Sequence, residues 1–381
     1  MKIAYFNANL RQGQDGVTRC VYKMIEGALE RDHEAIAITS TLPEETPPIP
    51  MYRVPSVVLP LQKNYRIALP GYASFSHRLE EFKPDILHIN SPCTLGFAAA
   101  KYGRQFGIPV VATYHTHFPT YPRYYRLQRF EDLAWRLTRN LYNNIDHTFV
   151  PTLPILEELQ NQNIRGLEHL PNGVDTDLFT PARRSQEWRN RVGAGEKPVV
   201  LFVSRLVWEK DLRVLADTYK VLRDRQKNFV MVVVGDGSAR AELESMMPGA
   251  RFLGYQSGTA LAESYASSDV FVFPSTTETF GLVTLEAMVS GVAPVAARVG
   301  GAAGIIEHAI TGLLADPFNP RDLANRVELL LDRPDRRRSI GIHAHRYALQ
   351  YSWKFILNRL FESYENIVER HRGGPATRRA A

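Results

Sequence analysis

The sequence predicts an α/β protein made of two Rossmann-like, doubly wound domains in series, and three observations carry that expectation. Short β-branched runs alternate with amphipathic stretches over nearly the whole chain. The runs are continuously apolar rather than alternating in polarity, as parallel strands covered on both faces should be. A composition shift at residues 181–197, rich in Pro, Arg, Gly and Glu, interrupts the series and reads as a linker, after which the alternation restarts.

In the first half, strands are expected at 2–7, 35–39, 85–90, 110–115 and 147–151. Helices are expected between them at 18–31, 74–82, 95–106 and 128–143. Parallel neighbours need crossover connections of about a dozen residues or more, which these helices supply. The second series places strands at 198–204, 229–235, 251–253, 270–274 and 293–298. A last helical pattern at 353–370 belongs to neither series. The expected division is 1–182, 183–352 and a returning segment 353–372, with 373–381 a disordered tail.

With 381 residues, 44% hydrophobic and 23% charged, the chain has the composition of a folded protein of about two domains. No run of 18 apolar residues occurs, so no membrane-crossing helix is expected. The N-terminus is expected to enter a buried strand directly rather than form a signal peptide. Cys20 and Cys93 lie far apart without metal-ligand spacing and read as reduced core thiols of a cytoplasmic protein. The net charge of +6 gives no case for nucleic-acid binding. Residues 101–140 are the exception, with seven basic side chains against Glu131 and Asp132, a pattern suited to an anionic partner.

Two segments carry chemistry. The first runs from Pro274 to Ala287, where a strand ends, a loop holds Glu278, and Gly281 lets the backbone turn into a helix carrying Glu286. The N–H groups that open such a helix favour a phosphate or sugar oxygen by about 0.3–2 kcal/mol. The second is Ser204–Lys210, where Arg205 and Lys210 follow a strand and can clamp a diphosphate, one as a planar fork and one as a compact charge. Spacing alone leaves two plainer readings open: a solvated Glu286, and a surface loop in which Glu209 pairs with one of the cations.

These residues, with Asn172-Gly173-Val174-Asp175 and Gly235-Asp236-Gly237, occur in the order seen in family-4 retaining glycosyltransferases, which the chain resembles over nearly its whole length. The resemblance implies the GT-B fold, with two Rossmann-like domains facing across a cleft and a C-terminal helix returning to the first. It implies that Arg205 and Lys210 bind the donor diphosphate and stabilise the leaving nucleotide. Glu278 would hold the transferred sugar and Glu286 the ribose. The backbone amides of Phe280, Gly281 and Leu282 would meet sugar or phosphate oxygens. The donor is a nucleoside diphosphate sugar, with no further cofactor and no metal, and attack comes from the face the nucleotide leaves.

In the first domain, Gly16 matches the second of the family's two early glycines, while Asp15 replaces the first. By the same resemblance, His115 faces donor sugar and acceptor. The segment from His115 to Tyr125 is similar to glycolipid-forming members, namely GDP-mannose-dependent mannosyltransferases and sulfoquinovosyl-diacylglycerol synthases. Arg123, Arg126 and Arg129, interleaved with Tyr124 and other aromatics, suit an acceptor or membrane surface of anionic lipid, with the protein peripheral on the inner face. A core-facing helix with a solvated basic side is the plainer alternative.

Asp175-Thr176-Asp177 has the form of a metal-binding pair from another transferase fold, but lies inside the Asn-Gly-Val-Asp motif and is not expected to bind metal. Gly235-Asp236-Gly237 lacks the third glycine of a dinucleotide fingerprint. The expected function is transfer of a hexosyl unit from GDP-mannose or a UDP-hexose, with retention, to a glycolipid or lipid precursor. A sugar-nucleotide epimerase, or a transferase using a soluble or polysaccharide acceptor, is the alternative.

Overall fold

The structure is a computed structural model that describes residues 1–10, 16–43, 48–59, 62–69, 71–120 and 128–373. The chain divides into two compact units, Met1–Gly173 with Trp353–Ala381, and Val174–Ser352.

The first unit is built on a seven-stranded sheet. Its strands are β1 (Lys2–Asn7), β2 (Glu34–Thr39), β3 (Met51–Arg53), β6 (Ile86–Ile89), β7 (Val110–Thr113), β8 (His147–Val150) and β9 (Leu167–His169). A separate antiparallel hairpin, β4 (Ser56–Leu59) and β5 (Gln62–Ala68), lies between β3 and β6 in sequence. The sheet order is β3-β2-β1-β6-β7-β8-β9 and every pairing is parallel. Alternate residues of each strand feed opposite faces: Ala4, Phe6, Ile36 and Ile38 enter one core, while Ile3, Tyr5, Ala35 and Ala37 enter the other.

That second core is completed by the last helix, Trp353–Gly373. Its buried residues Ile356, Leu357, Leu360, Phe361, Tyr364, Ile367 and Val368 recur at helical spacing and form one apolar stripe. The stripe lies close against the helix Gly16–Leu29, where a Cβ on Gly27 would meet Leu357 Cδ1 at 2.6 Å. The His88 imidazole ties this helix to the sheet, bonding the Tyr364 hydroxyl through Nδ1 and Thr113 Oγ1 through Nε2 at 2.8 Å.

The second unit holds β10 (Val199–Val203), β11 (Val230–Val234), β12 (Arg251–Phe252), β13 (Val270–Phe273), β14 (Ala293–Ala297) and β15 (Leu313–Ala315). Its order is β12-β11-β10-β13-β14-β15, again parallel throughout. Both sheets therefore reverse winding direction beside their first strand, between β1 and β6 and between β10 and β13. Open α/β sheets bind ligands at the carboxyl ends of strands at such switch points.

Three expectations change. Residues 181–197 are no linker but two helical turns packed into the second unit, Pro181–Arg183 and Gln186–Arg191. Thr180 and Ser185 cap them, and Trp188 and Arg189 are buried. The division accordingly falls at Gly173 rather than near residue 182, because Val174 and Phe179 belong to the second core and Val174 N–H donates to Tyr351 O. Gly373, expected in the tail, closes the last helix; residues 374–381 lie outside the described residues. β3, β9 and β15, three residues each, were too short to show a period, and the β4–β5 hairpin was also unforeseen.

Candidate functional site

Four loops of the second unit leave the carboxyl ends of adjacent strands β11, β10, β13 and β14, and the expected donor residues sit on two of them. After β10 the chain passes Arg205 and makes a short 3-10 turn, Trp208–Lys210. After β13 it runs through Ser275–Phe280 and enters the helix Leu282–Val289 at Gly281, whose φ of 88° favours glycine.

The two loops are joined residue by residue. Asp211 Oδ2 accepts from the Thr276 N–H at 2.8 Å and from its hydroxyl at 2.9 Å. The Thr277 hydroxyl donates to Glu209 O at 3.1 Å. Lys210 Nζ donates to Glu278 Oε1 at 2.6 Å, with both side chains largely shielded from water. Burial raises the Asp211 carboxyl above its usual range, against the opposing pull of the two Thr276 bonds and Lys210. Lys210 thus pairs with Glu278 across the switch point, and Glu209 contributes its backbone.

The other two loops press from either side. A Cβ on Gly235 would lie 1.8 Å from Ser204 O, and one on Gly237 would lie 2.4 Å from Leu206 O. Leu206 N–H donates to Asp236 O at 2.8 Å, so Gly235-Asp236-Gly237 buttresses the Arg205 loop. After β14, a Cβ on Gly301 would stand 2.1 Å from Phe280 N, and Gly301 N–H donates to Glu278 O at 2.6 Å. Gly300 and Gly301 were not singled out in the sequence; their signal is a glycine pair just past a strand and opening a helix, Gly300–Ile305.

Glu286 lies one turn inside the helix that starts at Gly281 and is only 3% exposed, so the solvated reading does not hold. Its Oε2 accepts from the Tyr265 hydroxyl at 2.9 Å. Phe280 is buried and its ring packs on Tyr351, centroids 6.1 Å apart. The first turn of the helix leaves N–H groups at Leu282 and Val283 without intrahelical acceptors, beside the Glu278 loop.

In the first unit, Gly16 opens the helix Gly16–Leu29, while Asp15 lies outside the described residues. His115 follows β7, buried, with Nε2 3.2 Å from Asn90 Oδ1 at the end of β6. Burial pushes its imidazole down to about 3. His117, not among the expected site residues, bonds the Tyr114 hydroxyl at 2.8 Å and faces Glu158 at 3.2 Å. Of the basic–aromatic segment, Arg123, Tyr124 and Arg126 lie outside the described residues. Arg129 is exposed in the turn Gln128–Phe130, its guanidinium over the Phe130 ring.

Asp175 Oδ1 accepts the N–H groups of Asp177 and Leu178, so the carboxylate closes the turn after the Asn-Gly-Val-Asp motif. Among the described residues, no group of three or more His, Cys, Asp or Glu is placed to hold a metal ion. Cys20 is buried and Cys93 partly so. No helix among the described residues is long and apolar enough to cross a membrane.

This architecture, two Rossmann-like units of matching strand order, is that of GT-B glycosyltransferases. Sucrose-phosphate synthase from Thermosynechococcus elongatus superposes with a TM-score of 0.80 at 19% identity, covering 97% of this chain and 99% of that one. Anabaena HepE in complex with UDP and glucose gives 0.76 at 20% identity, covering 96% and 100%.

The sequence matches narrow the class. The profile described as "Glycosyltransferase Family 4" matches residues 14–178, and "Glycosyl transferases group 1" matches 184–346. A GDP-mannose-dependent alpha-mannosyltransferase of Mycolicibacterium smegmatis is 32% identical over 97% of this chain and 98% of its own. Sulfoquinovosyl transferase SQD2 of Arabidopsis thaliana is 37% identical over 72% of this chain and 55% of its own. The chain belongs to the family-4 glycosyltransferases, enzymes that use a sugar nucleotide as donor.

Proposed function

We propose that the chain transfers a hexosyl unit from a nucleoside diphosphate sugar to a lipid-borne acceptor at an anionic membrane surface, with retention at the anomeric carbon and without a metal ion. GDP-mannose is the preferred donor in this reading and a UDP-hexose the second. Relatives named for GDP-mannose match almost the whole chain at 31–32% identity. A relative from Mycobacterium tuberculosis named as a GDP-mannose-dependent alpha-(1-6)-phosphatidylinositol dimannoside mannosyltransferase, 29% identical over 79% of this chain, supports a lipid acceptor.

The observation that carries the reading is the Lys210–Glu278 contact beside the start of the helix Leu282–Val289. A cation, a carboxylate and a helix N-terminus converge there, which suits a ligand carrying both phosphate and hydroxyl groups. In this assignment Arg205 and Lys210 stabilise the charge that develops on the departing diphosphate, assisted by backbone N–H groups at Phe280, Gly281 and Leu282. Glu278 accepts from hydroxyls of the transferred sugar and Glu286 from the ribose, while Gly16 and His115 serve the donor sugar and acceptor. The bond from the anomeric carbon to phosphate oxygen breaks as the acceptor oxygen attacks from the same face. The acceptor proton passes to the leaving phosphate. Arg123, Tyr124, Arg126 and Arg129 meet the lipid surface, holding the protein peripherally.

A thermal-shift panel of GDP- and UDP-sugars tests the donor. Selective binding stabilises the folded state by about 2.7 kcal/mol at a hundredfold excess over Kd. Product formation with a lipid acceptor then completes the case. Donor consumed with no acceptor present points to an epimerase, and binding without product across lipid and soluble acceptors sinks the transferase assignment.

A further inference from the structure

Asp211 joins the 3-10 turn Trp208–Lys210 to the helix Leu212–Asp224, and its local setting is unfavourable in three ways. Its backbone is left-handed, with φ of 54° and ψ of 40°, a region that suits glycine. Among the described non-glycine residues with such a φ, Asp211 alone is buried. Aspartate usually settles there by bonding its own backbone, or at a helix N-cap by accepting from the first turn. Asp211 occupies the N-cap yet makes no capping bond with its side chain. Burial also opposes its charge and lifts the carboxyl above the usual range.

The carboxylate is turned instead to the loop after β13, where Oδ2 accepts both the N–H and the hydroxyl of Thr276, at 2.8 and 2.9 Å. Asp211 directly follows Lys210, and Thr276 stands two residues before Glu278. These bonds and the Lys210–Glu278 contact thus close a ring across the two loops. The two sides of the ring differ in stiffness. Lys210 and Glu278 meet through long, rotatable stems, whereas Asp211 is short and grips a backbone N–H. A diphosphate that draws Lys210 from Glu278 leaves the loops held by the Thr276 bonds and by the longer one from Thr277 to Glu209 O, at 3.1 Å. We propose that Asp211 is a positioning residue: by gripping Thr276 it keeps the two loops in register, so that Lys210 turns from Glu278 to a donor diphosphate without the loops parting. This rests on the reading that Lys210 binds the diphosphate, and it names what holds that lysine in place.

Amide hydrogen exchange and calorimetry on the full chain test it. D211G suits the left-handed backbone and loses both bonds, while D211N tolerates that backbone and keeps an acceptor oxygen. In the ligand-free protein, D211G speeds exchange across residues 275–280 by about tenfold or more, and D211N stays within about threefold of native. Affinity for GDP and for UDP, titrated separately, follows the same order. The nucleotide that the native chain binds more tightly loses about tenfold in D211G and recovers in D211N. With Lys210 already replaced, in K210A, the D211G change has no further effect on that affinity. A general loss of packing would neither recover with the carboxamide nor vanish in the K210A background. Native exchange in D211G overturns the clamp, as does a D211N variant no better than D211G. An equal loss of affinity with and without Lys210 overturns the positioning role. Native nucleotide affinity in K210A, with fast exchange in D211G, leaves the clamp standing and overturns the diphosphate reading of Lys210 instead.

Discussion

His115 Nε2 lies 3.2 Å from the carboxamide oxygen of Asn90, both residues buried at the ends of neighbouring strands. Among the described residues, the buried Asn90 Nδ2 has no hydrogen-bond partner. Burial pushes His115 from its ordinary 6.5 to about 3, and His88 likewise, with His115 adding to the shift of His88. Between those values the unfolded chain binds protons that the folded one does not. The stability contributed is therefore complete above pH 6.5 and lost as pH falls, by about 1.4 kcal/mol per pH unit for each histidine. Equilibrium unfolding between pH 8 and 4 should show that fall, with a shallower slope in His115→Gln; identical slopes would place His115 in ordinary titration.

The same contact makes a kinetic prediction. With His115 neutral, the pH profile of turnover shows no inflection from it near 6.5. Asn90→Asp places a carboxylate against Nε2 and favours the imidazolium. A new inflection, shifted upward from about 3, is the expected result in kcat against pH. Its absence at every pH where the variant stays folded counts against the contact.

Lys210 and Glu278 meet only because β10 and β13 are neighbours at the switch point, although they are far apart in sequence. Arg205→Ala and Lys210→Ala each remove a preorganised group at a developing charge, worth about 2.7–4 kcal/mol of barrier or 10²–10³-fold in turnover. Steady-state kinetics with saturating donor checks this, and near-native rates in both variants would falsify the diphosphate assignment.

The glycines beside these loops show what was legible and what was not. β10 was readable because all five of its residues are buried and apolar, whereas three-residue β9 and β15 offer no period. Glu278 and Glu286 are visible as a local pattern around Gly281, but spacing alone leaves Glu286 open to a solvated reading and the family resemblance supplies the roles. The Lys210–Glu278 pair and the Gly301–Phe280 approach depend on strand order, which no local pattern encodes. Gly235-Asp236-Gly237 was visible as a motif but not as a buttress. Gly235→Ala now becomes informative: with φ of 136° and a Cβ 1.8 Å from Ser204 O, the Arg205 loop must shift. A loss of about 1–3 kcal/mol in stability is expected, with turnover falling further than the melting shift accounts for.

The Tyr265 hydroxyl donates to the buried Glu286 carboxylate. Tyr265→Phe removes one bond to a charged group, a loss of about 1.5–3 kcal/mol in how firmly the carboxylate is held. If Glu286 binds ribose, titration calorimetry should show nucleoside diphosphate affinity weakened by about tenfold or more. Unchanged affinity would move the ribose contact elsewhere.

Arg189 decides whether residues 181–197 are linker or core. Its guanidinium donates to Asp269 at 3.0 Å and to three carbonyls, those of Gly195, Ser267 and Lys197, at 2.7–3.0 Å. Burial alone would raise the Asp269 carboxyl, but the Val199 N–H and the guanidinium groups of Arg184 and Arg189 hold it below its usual range. Arg189→Ala leaves Asp269 to Arg184 and the Val199 N–H and takes the guanidinium donor from three carbonyls, a change expected to cost about 3 kcal/mol or more. Arg189→Met keeps the stem but takes the donor from the same three carbonyls, so it should be nearly as damaging. Urea denaturation of both variants gives the measurement, with an equal m-value and a lower midpoint as the expected pattern. A true linker arginine, solvated and unpaired, would change the midpoint hardly at all.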